Sequence, residues 1–159
     1  MSSTEELVSE LNRLDPHLAS RLALQSIELF ERSRGNMTGD GDSEAMPPDV
    51  RLVRKAMLDM IERSQCCPSE IISALGTLRD PDLIPWFRRC LAWQMADQNA
   101  GGIYAAMSAL EELGENVFAG RASRSIRDWE LNRNLAEDYL KQCPKANRGL
   151  SEDRPLDKR

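Results

Sequence analysis

Ile71-Ile72-Ser73-Ala74-Leu75-Gly76-Thr77-Leu78-Arg79-Asp80-Pro81-Asp82-Leu83-Ile84-Pro85-Trp86-Phe87-Arg88-Arg89-Cys90-Leu91 decides how this chain reads. Ile71, Ile72, Leu75 and Leu78 recur at the spacing of one helical face. Asp80-Pro81 breaks that pattern. Proline has no N–H to donate and a fixed φ, so it is disfavoured inside a helix and suited to a first turn. Asp80 beside it can accept from the unpaired N–H groups that every helix start leaves open. Leu83, Phe87, Cys90 and Leu91 then begin a second helical pattern. Two amphipathic helices across so short a turn predict a helical hairpin.

Outward from this hairpin the same period continues. Ser3 with Glu6 has the form of a capping box before Leu7 and Leu11. Asp15-Pro16 precedes a second helix from His17 to about Arg34, with Leu22, Ile27 and Phe30 on its apolar side and Leu24 widening it. Pro47-Pro48 precede a third, striped by Val50, Val53, Met57 and Ile61. The hairpin supplies the fourth and fifth helices. A sixth, from Ile103 to Leu113, carries Met107 and Leu110, with Gly114 placed to end it in the left-handed region. Val117 and Phe118 are expected to tuck into the core. A seventh helix, from Ser125 to Gln142, has Ile126, Trp129, Leu135, Tyr139 and Leu140 as anchors. No segment shows the period-two alternation of a strand. The expected fold is therefore all-α, with about seven helices. It is one domain over 1–144, with a flexible connector at 35–48 and a disordered tail at 145–159.

Composition narrows the class. The chain has 159 residues, 41% hydrophobic and 30% charged, within the globular range, and its net charge is −5. Nucleic-acid binding normally demands a basic excess, so that class is set aside. Residues 1–120 hold 11 Lys/Arg against 19 Asp/Glu, while 121–159 hold 10 against 7, so the basic charge gathers late in the chain. No stretch approaches the roughly 20 apolar residues of a membrane span, and the first residues lack the charged and apolar regions of a secretory signal. These features predict a cytosolic protein. Four cysteines without C-x-x-C spacing, and one histidine, predict neither a zinc site nor a disulfide framework. Cys90 reads as a small buried apolar residue.

Catalysis finds no foothold in the sequence. His17 is the only imidazole, and neither G-x-S-x-G nor a P-loop occurs. The alternating Asp40, Asp42 and Glu44 fall short of a calcium loop and read as a polar connector. The expectation is a protein that is not an enzyme and needs no cofactor or metal.

Ser73, Ala74, Leu75, Leu78 and Asp80 recur 35 residues later as Ser108, Ala109, Leu110, Leu113 and Glu115. A period in this range belongs to stacked helical hairpins. The stretch from Ala74 to Phe87 resembles a HEAT-type repeat, with Leu75, Leu78, Asp80, Pro81, Leu83, Ile84 and Phe87 in the repeat's roles. That resemblance implies a short α-α superhelix. The runs Tyr104–Phe118 and Asn132–Leu140 are similar to small bacterial immunity-type helical-repeat proteins, which neutralise a toxin by direct binding. This likeness implies a binding protein that is monomeric when free and occludes a basic toxin or effector. It would touch neither nucleic acid nor membrane. The alternative is a structural or regulatory subunit of a larger complex. The residues expected to meet the partner are Trp86, Arg89, Trp93 and Tyr104, with the carboxylates Glu111, Glu112 and Glu115.

Overall fold

The computed structural model describes residues 4–13, 19–35, 46–65, 67–121 and 124–143. Every regular element among them is helical. In chain order these are α1 (Thr4–Asn12), α2 (Ala19–Gly35), α3 (Pro48–Ser64), α4 (Ser69–Gly76), α5 (Ile84–Ala96), α6 (Ala100–Glu112) and α7 (Trp129–Lys141). The all-α reading with about seven helices holds. Five sequence expectations lie outside the described residues: the Ser3 cap, the turn at Asp15-Pro16 with His17, the acidic connector with Asp40, Asp42 and Glu44, Cys66, and the tail at 145–159.

The chain divides into two compact units, Met1–Leu78 and Arg79–Arg159. In the first, α1 packs on α3, and α2 on α4. Leu7, Leu11, Leu22, Phe30, Val53, Met57, Ile61, Ile71, Ile72 and Leu75 are buried there. They sit at the 3.6-residue period that drew them out of the sequence, because burying one stripe is what stabilises a short helix. Arg63 of α3 donates to the carbonyls of Asn12 (3.0 Å) and Leu11 (3.5 Å), satisfying acceptors that the end of α1 leaves open. Leu24, expected on the apolar side of α2, is instead 64% exposed. The apolar face of α2 is narrower than the composition of the helix suggests.

In the second unit α5, α6 and α7 pack pairwise. Leu83, Phe87, Leu91, Ile103, Met107, Leu110, Val117, Phe118, Ala136 and Leu140 are buried. Asp80-Pro81 does start helix, but a single 3₁₀ turn, Pro81–Leu83, comes first. The Asp80 carboxylate accepts from the Asp82 N–H at 3.0 Å, and α5 then begins at Ile84 with Pro85 in its first turn. Asn99 caps α6 three residues ahead of the expected start, accepting from the Gly102 N–H at 3.2 Å. At the other end Gly114 has φ +89°. Gly114 N–H donates to Glu111 and Glu115 N–H to Leu110, the paired bonds of a Schellman cap.

Two expectations need correction here. Residues 125–128 form a turn instead of the start of α7, and Ile126 is 49% exposed rather than an anchor. The buried Asn132 side chain donates to the Ser125 carbonyl at 2.8 Å, holding that turn against the first residues of α7. Cys90 is buried as expected, but Cys67 and Cys90 are both disulfide-bonded. Sequence spacing could not show this, since no local pattern encodes which cysteines are oxidised. The cysteines therefore no longer argue for a reducing compartment. No helix among the described residues is long and apolar enough to cross a membrane.

Candidate functional site

Trp86, Arg89 and Trp93 lie at i, i+3 and i+7 on α5, so the helix places them in one row. All three are half-buried, while Phe87, Cys90 and Leu91 on the adjoining face are buried. The Arg89 guanidinium carbon sits 5.2 Å from the Trp86 ring centroid and 5.7 Å from that of Trp93. One cation is thus shared between two indole faces, whose negative quadrupoles both attract it. Three side chains that would otherwise sample many rotamers are held together as one partly exposed cluster.

The neighbouring Arg88 takes part in a different cluster. Its Nε donates to the Tyr139 hydroxyl at 2.8 Å, and its Nη2 donates to Glu115 Oε2 at 2.7 Å. Tyr139 itself donates to the same Glu115 oxygen at 2.5 Å. The Tyr139 hydroxyl and the Arg88 guanidinium, both hydrogen-bonded to Glu115, hold its carboxyl below the ordinary glutamate value. Burial and the Glu115 carboxylate push the Tyr139 phenol above its ordinary value. The bonds to Tyr139 and Glu115 raise Arg88 further above an already high one.

Glu111 has a third role. Its Oε2 accepts from the Val117 and Phe118 N–H groups at 2.8 and 3.0 Å, and its Oε1 accepts from Arg124 at 3.1 Å. Arg124 also lies over the Phe118 ring at 4.9 Å. Tyr104 meets the same ring edge-on, with centroids 5.9 Å apart. Glu112 is exposed and stands 4.0 Å from Arg79.

All seven residues expected to meet a partner fall in the second unit, but they do not form one face. Trp86, Arg89 and Trp93 come together. Tyr104 is engaged with Phe118, while Glu111 and Glu115 spend their oxygens inside the unit. Arg88, next to Arg89, pairs its charge with the internal carboxylate of Glu115. Sequence reasoning placed Tyr139 as an anchor of the last helix but did not find its bonds to Arg88 and Glu115, nor the contribution of Arg124. Tyr139 is 51 residues from Arg88, and no local pattern links them. Near the start of α7, Arg121, Arg127, Asp128, Trp129, Glu130 and Leu131 line an open cleft of about 570 Å³. Trp129, expected in the core, is half-buried at its edge. Among the described residues, no group of three or more His, Cys, Asp or Glu is placed to hold a metal. No family model, curated protein or solved structure matches the chain.

Proposed function

We propose that this chain is a non-enzymatic binding protein that holds a protein partner through the Trp86–Arg89–Trp93 row of α5. The observation that carries the reading is the shared cation. A guanidinium fixed between two half-buried indoles is a pre-organised, amphipathic surface, and Trp and Arg dominate the centres of protein interfaces. Ordering these side chains before contact removes part of the entropy that association would otherwise cost. The net charge of −5 supports a basic partner, drawn in by long-range attraction. A toxin neutralised by occlusion is one such partner. Glu112, exposed on α6, is the expected carboxylate best placed to add to that field.

The test is affinity capture of the partner by the full chain, side by side with Trp86→Ala and Trp93→Ala. Stoichiometric recovery of one basic protein by the wild type, lost in both variants while their unfolding midpoints stay within a few degrees, supports the reading. Variants that melt far lower would show the indoles to be packing residues and would end this assignment.

A further inference from the structure

α7 is held to its unit differently from α6. Along α6, Gly102, Ile103, Ala106, Met107, Ala109 and Leu110 are buried, a nearly continuous apolar stripe. Along α7 the buried residues are Asn132, Ala136, Tyr139 and Leu140, so two of the four carry polar groups that need partners. Asn132 is bonded locally, donating to the Ser125 carbonyl in the turn just before the helix. Tyr139 is not. Its hydroxyl is bound to Arg88 on α5 and to Glu115 in the connection after α6. A single carboxylate oxygen, Glu115 Oε2, accepts from both Tyr139 and Arg88.

We infer that α7 is a latched helix: it undocks from α5 and α6 as a unit while the rest of the second unit stays folded, and the Arg88–Glu115–Tyr139 network is its latch. Elements with few buried apolar contacts open at lower free energy than the core they cover. Here the apolar contact is thin, and the polar contact converges on one atom. Such a network is cooperative, since each bond orients the groups that make the others. Arg88 is also the residue next to Arg89, so the latch and the indole row share one turn of α5. The inference stands on the geometry of α7 and does not depend on the binding reading.

Hydrogen exchange on the full chain under native conditions tests it. In the wild type, the amides of Arg133–Leu140 exchange through an opening that leaves Ile103–Leu110 protected. Glu115→Gln and Tyr139→Phe each keep the shape of the residue they replace. Each raises exchange in α7 about tenfold, the effect on an opening equilibrium of losing one hydrogen bond to a charged group, with α6 unchanged. Exchange of α6 and α7 at one common rate in the wild type would overturn the inference. So would variants that accelerate both helices equally, or neither.

Discussion

Glu111→Ala is a surface-edge substitution that is expected to destabilise the second unit as much as a core truncation does. The carboxylate accepts two backbone N–H groups, from Val117 (2.8 Å) and Phe118 (3.0 Å). Both residues are 1% exposed, and the Glu111 side chain itself is 16% exposed, so water cannot easily replace the lost acceptor. A buried donor left without a partner costs about 1–3 kcal/mol. Two donors give about 2–5 kcal/mol after allowing for partial rehydration of the loop. The Arg124 ion pair adds little, because its guanidinium side chain is 37% exposed and such pairs are worth about 0–1 kcal/mol. Two controls separate these contributions. Arg124→Ala leaves the backbone staple in place and removes the ion pair, the stacking on Phe118 and an exposed hydrogen bond to the Arg121 carbonyl, and is expected to cost about 1 kcal/mol. Glu111→Gln keeps one oxygen for the N–H groups and should fall between the two. Urea unfolding followed by tryptophan fluorescence measures the series. With a slope of about 2 kcal/mol per molar urea, the Glu111→Ala midpoint should drop by roughly 1–2.5 M. A loss below 1 kcal/mol, or equal losses for Glu111→Ala and Arg124→Ala, would refute the claim that this carboxylate is a backbone staple.

Glu115 gives the chain a pH signature: its carboxyl is held below the ordinary value of 4.5 by Tyr139 and Arg88, so its contribution is fully present above that value and is lost as pH falls through the folded one. Acid titration of the unfolding midpoint should therefore steepen below about pH 5, and Glu115→Gln should flatten that slope; an unchanged slope would contradict the assignment. Gly102→Ala should destabilise by about 1–3 kcal/mol, because an added Cβ would stand 2.0 Å from Gln94 Oε1 and 2.7 Å from its Cγ, and Gln94 is buried; a neutral result in thermal unfolding would mean that Gln94 re-packs freely. Thiol alkylation of protein unfolded without reductant, read by peptide mass spectrometry, should modify Cys143 and leave Cys67 and Cys90 unmodified; labelling of all three to the same extent would show that the latter two are reduced.

Much of the helical fold was legible because one physical rule, the burial of a stripe at the helical period, acts on each segment alone. Val53, Met57 and Ile61 on α3, or Ile103, Met107 and Leu110 on α6, need no knowledge of the rest of the chain. The ends were legible where a residue type is tied to a backbone state, as at Asp80 and Gly114, whereas the Asn99 cap was hidden in a run of turn-forming residues. What the period could not separate was a helical residue from one in a turn at the same spacing. Ile126 fits the stripe of α7 but belongs to the turn before it. The disulfide bonding of Cys67 and Cys90 was beyond reach for the related reason that nothing local encodes it.

The carboxylates show where reading a site from sequence stops. Glu111, Glu112 and Glu115 cluster near the end of α6, and in one dimension they look like a single acidic patch. The helix and its Schellman cap give them three different directions. Glu111 turns back under the 117–118 backbone, and Glu115, beyond the positive φ of Gly114, swings toward Arg88 and Tyr139. Glu112 alone stays exposed. A carboxylate already accepting charge-assisted hydrogen bonds gains little by exchanging them for a partner's, since the bonds broken are as strong as those formed. The proposed interface is therefore centred on the row of α5 and not on these carboxylates. There the Arg89 guanidinium is held over two half-buried indoles, and a partner stacking on the exposed part of that row adds to contacts that are already ordered.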